Sequence, residues 1–147
     1  MKTTHKHPKY IEWLSADEMH DVTQKWLLEM EFIKDEQLFF DDLIKHYTLQ
    51  LIDSKYFEDS KKLVNELSKL QKRTAILIKA VKNHKNDLKI LLDGINQPDE
   101  EAAYKKEHRE LVSVINKFTK QNNALKLKLF NLVKGIIKKE KQKLLLK

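Results

Sequence analysis

The side chains best placed to do chemistry are two histidines, His84 and His108. Each falls on the inward seam of a helical pattern, and hairpin geometry brings both level with Trp26 on a third. Glu29 lies one turn from Trp26, and Glu107 and Arg109 flank His108. Two imidazoles and a carboxylate inside a helical bundle form a donor set for Zn²⁺ or Fe. Di-iron bundles, however, take Glu-x-x-His from each of two helices, and no Glu lies three residues before any His here. Asp17 and His20 have that spacing with Asp, at a helix start. Asp42 and His46 stand at i, i+4 on a solvated face. The histidine layer therefore reads as hydrogen-bonded interior imidazoles, with no metal and no cofactor expected.

Other catalytic arrangements find little support. There is no cysteine, which excludes thiolate nucleophiles, thiolate metal sites and disulfides and suits a reducing compartment. Ser68 and Ser113 have no His and acid nearby in sequence. Two glycines cannot build a G-x-x-x-x-G-K phosphate loop or a G-x-G-x-x-G turn. Neighbouring acids such as Asp41 and Asp42 are ordinary on a solvated helix face. The expectation is a non-catalytic protein.

The elements that position these residues are long helices. In 147 residues, 35% are charged and 41% hydrophobic, with two Gly and two Pro. Few turn residues and many Lys, Glu and Leu favour an all-α chain of about one domain. From Ser15 to Asp53 the apolar seam runs Met19, Thr23, Trp26, Met30, Ile33, Gln37, Phe40, Ile44, Tyr47, Leu51, in alternating steps of four and three. Ser15 and Glu18 spell a capping box, and Leu14 is placed to staple onto Met19. Without a break this helix would be roughly 58 Å long and would need partners of similar length. A second seam, Leu63, Leu67, Leu70, Thr74, Leu77, Val81, His84, Leu88, Leu91, predicts a helix over 57–94 that Gly94 ends, with Ile95 touching Ile90. Asn96, Gln97 and Pro98 open the third over 98–143. Its seam is Tyr104, His108, Leu111, Ile115, Phe118, Asn122, Leu125, Leu129, Leu132, Ile136, with Gly135 a mild internal weakness.

Both connections are short, so neighbours should be antiparallel. The expected architecture is an up-down-up, coiled-coil-like bundle of three long helices over 15–147, behind an irregular segment 1–14. A dimer made by swapping helices is the alternative. Hairpin arithmetic puts Gln37, Thr74 and Asn122 in one central polar layer, which would fix register at some cost in stability. In segment 1–14, His5 and His7 read as part of an irregular terminus, while Tyr10, Ile11, Trp13 and Leu14 are apolar enough to fold against the bundle.

Charge is distributed unevenly. Residues 15–53 carry net −7, 54–94 net +5 and 95–147 net +7, which with +2 from 1–14 gives the chain's +7. An acidic helix beside two basic ones suggests pairing within the bundle before any polyanion. Lys117, Lys120 and Lys126 should run level with Asp35, Glu36, Asp41 and Asp42.

Two features exceed what a bundle needs. Leu28, Phe32 and Phe39 lie off the first helix's seam, with Leu43 bridging back, and mark a candidate protein-binding or self-association face. Phe39 lies about 36 Å along the helix from the cap, too far for residues 10–14 to cover. From Lys117 to Lys147 the chain carries ten lysines, Lys117 included, against the single acid Glu140. The arithmetic sets Ile136 level with Phe57, so 137–147 should overhang. Lys134 just before it and Lys138, Lys139, Lys141 and Lys143 within it are candidate contacts for nucleic acid or an anionic surface. The segment has no Arg and no aromatic residue, so base readout is not expected. There is no apolar run of about 18 residues to span a membrane and no signal-peptide core. The sequence thus points to a cytoplasmic helical interaction or assembly module, with polyanion binding through the basic third helix as the alternative.

Overall fold

Ser15 and Glu18 close the start of the first helix reciprocally. The Ser15 N–H donates to Glu18 Oε1 at 3.0 Å, and the Glu18 N–H donates to Ser15 Oγ at 3.1 Å. This is the capping box that the spacing predicts, and these bonds hold the Glu18 carboxyl below its usual range. The computed structural model describes residues 15–53, 55–94 and 98–146. Within them lie four helices: α1, Ala16–His46; α2, Thr48–Leu51; α3, Phe57–Asp93; and α4, Pro98–Leu145. The described residues contain no strand. The expectations placed on residues 1–14, on Ile95, and on Asn96 and Gln97 lie outside them.

The first helix is not continuous to Asp53. It stops at His46, and Tyr47 departs from helical geometry at φ −102°, ψ 21° before α2 resumes. The cause is local. The Thr48 hydroxyl donates to the Ile44 and Lys45 carbonyls at 3.2 and 2.8 Å, competing with the backbone amides for acceptors. α3 starts where expected and ends at Asp93, with the Gly94 N–H reaching the Ile90 and Leu91 carbonyls at 3.1 and 3.3 Å. α4 starts at Pro98, with Asp99, Glu100 and Glu101 at the positive end of its dipole, and runs two residues beyond the expected 143.

The chain divides into two compact units, Met1–Phe32 with Thr74–Lys117, and Ile33–Arg73 with Phe118–Lys147. In the first, Met19, Trp26 and Met30 of α1, Leu77, Val81 and Leu88 of α3, and Tyr104, Leu111 and Ile115 of α4 are buried. Thr23, Thr74, His84 and His108 are buried polar members of that unit, and the Thr23 hydroxyl is satisfied by the Met19 carbonyl at 2.7 Å. In the second unit the core is Ile33 and Phe40 of α1, Leu51 of α2, Leu63, Leu67 and Leu70 of α3, and Phe118, Leu125, Leu129, Val133 and Ile136 of α4. Fully burying a side chain such as Phe40 stabilises by about 2–3 kcal/mol. Polar contacts fasten its helices to one another. Gln71 donates to Asp41 at 2.8 Å, Lys126 pairs with Glu36 at 3.0 Å, and the Ser60 hydroxyl reaches the Leu51 carbonyl at 3.3 Å.

Val133 takes the buried position expected of Leu132. A helix turns every 3.6 residues, so the positions three and four after Leu129 straddle the seam. The shorter Val133 is enclosed, while Leu132 borders a furrow beside Tyr56 and Gly135.

Candidate functional site: a sealed histidine cluster and two exposed faces

α1, α3 and α4 bring Trp26, His84, Tyr104 and His108 together in the first unit, as the seams require for three of the four. Trp26 stacks on His108 with ring centroids 4.8 Å apart, and lies 6.5 Å from His84. Tyr104 lies flat on His84, at 4.0 Å and an interplanar angle of 3°. Sequence reasoning placed Tyr104 on the seam but not in this layer. The signal was present, since Tyr104 is one helical turn before His108 on the same face.

The two imidazoles are joined by hydrogen bonds into a short relay. His84 Nδ1 donates to Glu107 Oε1 at 2.6 Å, and His84 Nε2 meets His108 Nδ1 at 2.9 Å. A carboxylate can only accept, so His84 carries its proton on Nδ1. One proton lies between the two rings. Glu107, expected only as a neighbour of His108, is thus the partner of His84. The far nitrogen, His108 Nε2, is buried without a hydrogen bond. The Tyr104 hydroxyl faces Thr23 but has no hydrogen bond of good geometry either.

Burial dominates the electrostatics. It pushes His108 down to about 4, with His84 beside it acting in the same direction, so His108 is neutral at pH 7. Burial raises the Tyr104 phenol to about 12, and Glu107 and Asp87 nearby push in the same direction. Both imidazoles are fully enclosed, whereas the Glu107 side chain is 49% exposed. A furrow of about 280 Å³, bordered by Asp87, Ile90, Ala103, Tyr104 and Glu107, reaches only this outer edge. The two imidazoles present no nitrogen to the surface, and the relay reaches it only through the Glu107 carboxylate. Among the described residues, no group of three or more His, Cys, Asp or Glu could hold a metal ion. The geometry gives the reason at this point: both nitrogens of His84 are already engaged.

The other candidate residues are dispersed. In the first unit, Leu28 and Phe32 are exposed at 70% and 66%. In the second, Phe39 is 55% exposed and its ring lies 6.4 Å from that of buried Phe40, while Phe130 of α4 meets Phe40 edge-on at 6.0 Å and is itself 46% exposed. Sequence reasoning missed Phe130, which stands one position after Leu129 and so beside the seam.

Lys134, Lys138, Lys141 and Lys143 are exposed on α4, while Lys139 is half-buried with its ammonium 5.8 Å over the Tyr56 ring. The overhang is shorter than expected. Ile136 is fully buried, and Glu140 accepts from Gln50 at 3.1 Å, so Ile136, Lys139 and Glu140 still meet α2 and the connection after it. The hairpin arithmetic ignored the pause at Tyr47 and the residues around Tyr56, which extend the body of this unit toward the end of α4. Only 141–146 are exposed throughout.

A wider furrow of about 550 Å³, floored by Gly135 and Tyr56, has Lys55, Lys62 and Lys128 facing Asp59 and Glu66, and Lys128 pairs with Glu66 at 3.5 Å. Its lining carries a net charge of only +1. Among the described residues, no helix is long and apolar enough to cross a membrane. No family model, curated protein or solved structure matches this chain.

Proposed function

We propose that the chain is a non-catalytic helical interaction module. Its three long helices would run up, down and up as one domain over 15–147, in a cytoplasmic setting. The observation that carries this reading is the pair of large aromatic side chains, Phe39 and Phe130, held half-exposed around buried Phe40. Contiguous exposed apolar surface on rigid elements marks a docking site, and aromatic anchors are the residues that concentrate binding energy. Enclosure of the two imidazoles argues against their acting in catalysis, because a general acid or base must come within hydrogen-bond reach of its substrate. The test is capture from the protein's own cell extract with tagged wild type and a Phe39→Glu variant. A stoichiometric protein partner lost from the variant supports the reading, and a catch unaffected by the substitution counts against it.

The second reading is attachment to nucleic acid or another polyanion, favoured by exposed Lys134, Lys138, Lys141 and Lys143 at the end of α4. Retention on duplex DNA that disappears between low and physiological salt, with no protein captured through Phe39, would favour it.

A further inference from the structure

The furrow between α1 and α4 in the second unit has a floor and two rims of opposite charge. Polar contacts locate it. Lys126 and Glu36 pair at 3.0 Å on the flank where α1 meets α4. The other flank of each helix faces α3, where Asp41 accepts from Gln71, Gln121 accepts from Arg73, and Lys128 pairs with Glu66. Phe39 is three residues after Glu36, and Phe130 is four after Lys126, so both lie on the α1–α4 flank. Their rings flank Phe40 at 6.4 and 6.0 Å. Half-buried Leu43 and exposed Ile137 continue the strip along the two helices.

One turn from Phe39 on either side, and turned further from the core, stand exposed Asp35 and Asp42. On the opposite rim, exposed Lys134 is one turn after Phe130, followed by Lys138 and Lys141. The imbalance extends along the helices. In this unit α1 carries four acids and two lysines, and α4 carries eight lysines and one acid.

The two helices run in the same direction. Glu36 meets Lys126 and Phe40 meets Phe130, each pair 90 residues apart. A second copy can therefore cover the furrow in two symmetric ways. A two-fold axis across the helices sets acidic rim on acidic rim and basic on basic. An axis along the helices sets α1 of each copy against α4 of the other, so that Asp42 comes within about two residues of the height of the partner's Lys134. Only the second arrangement is attractive. We propose that this furrow binds a second copy of the chain about a two-fold axis parallel to α1 and α4, with Phe39 and Phe130 at its centre and Asp42 facing the partner's Lys134. The proposal rests on the interaction-module reading and names its partner.

Light scattering on the full chain tests it, up to about 100 μM, a range that covers micromolar dissociation. The expected mass rises to twice 17.5 kDa. Phe39→Glu should remain a monomer with unchanged helical circular dichroism. Two charge-reversed proteins, Asp42→Lys and Lys134→Glu, alter only exposed side chains and should fold normally. Each alone should lose at least about tenfold in self-affinity, the effect of apposed like charges. An equimolar mixture should regain a dimer.

A wild-type protein that stays monomeric overturns the proposal, as does a dimer indifferent to Phe39→Glu or a mixture that fails to recover. Monomeric wild type that still captures a different protein through Phe39 removes the second-copy inference and leaves the interaction reading intact. Failure of both experiments removes both.

Discussion

His84 and His108 share a single hydrogen bond, Nε2 to Nδ1 at 2.9 Å, and leave His108 Nε2 without a partner inside the first unit. The pair tolerates the neutral state of His108 and resists its protonation, because a charge there would sit between Trp26 and His84 without a counter-ion of its own. Folding therefore holds His108 at about 4, against about 6.5 in an unfolded chain. The unfolded state binds more protons between these values, so stability falls as pH drops from 6.5 toward 4. The expected loss is about 2–3 kcal/mol. Urea midpoints at pH 7 and pH 4.5 measure it. In His108→Phe the stacking on Trp26 is kept and the titration removed, so the pH slope in this window should flatten even if the variant is less stable. An unchanged slope would show that the protonation penalty lies elsewhere.

Gln37 and Asn122 form the polar centre of the second unit, with Gln37 Nε2 donating to Asn122 Oδ1 at 3.0 Å and both side chains buried. Gln37→Leu alone should destabilise by about 1–3 kcal/mol, because it leaves the buried Asn122 Oδ1 without this donor. Gln37→Leu with Asn122→Leu should recover most of that loss. Adding Thr74→Val should leave a protein at least as stable as wild type but less defined in oligomeric state. Thermal melts of the single, double and triple variants decide this, and a triple variant weaker than the single one would mean that the layer is needed for stability rather than register.

The seams were legible because core burial follows helical spacing so closely. Met19 through Phe40, Leu63 through Leu88 and Tyr104 through Leu129 occupy the positions their spacing assigns. Gln37 and Asn122 could be placed in one layer because hairpin sums tolerate an error of about a turn and long polar side chains reach across it. Three things were not legible. The break at Tyr47 depends on the Thr48 hydroxyl choosing the Ile44 and Lys45 carbonyls, a competition that leaves no periodic trace. The choice of Val133 over Leu132 depends on how neighbours fill space. The pairing of Glu107 with His84 rather than with solvent depends on a rotamer, and spacing says only that the two residues are near.

Gly135 lies within α4, where glycine costs backbone entropy. A Cβ built there meets only the Tyr56 hydroxyl, at an ordinary contact distance of 3.9 Å. Gly135→Ala should therefore stabilise the protein by about 0.5–1 kcal/mol, which for a chain of this size raises the melting temperature by about 1–4 °C. Differential scanning calorimetry measures the change. A drop instead of a rise would mean that the furrow beside Tyr56 needs the missing side chain.

The end of α4 separates packing from charge at Glu140. Ile136 is fully buried, Lys139 lies over Tyr56, and Glu140 holds Gln50, whereas 141–146 are exposed. A chain ending at Glu140 loses Lys141, Lys143 and Lys147 and falls from +7 to +4, since three lysines are removed. Its melting temperature should stay within a few degrees of wild type. A chain ending at Gly135 also loses Ile136 and should be weaker by about 2–3 kcal/mol from that side chain alone.

Polyanion binding should follow the lysines instead of the fold. Each exposed lysine near an anionic surface contributes about 1 kcal/mol at most, so attachment to duplex DNA or anionic vesicles should be weak and should vanish near physiological salt. For DNA, removing three lysines should make the slope of log K against log salt shallower by about 2–3. Filter binding across a salt series, with full-length protein and the chain ending at Glu140, tests both. If the shortened chain melts far below wild type, the end of α4 is structural. If it binds with an unchanged salt slope, the lysines that meet the polyanion are elsewhere on the protein.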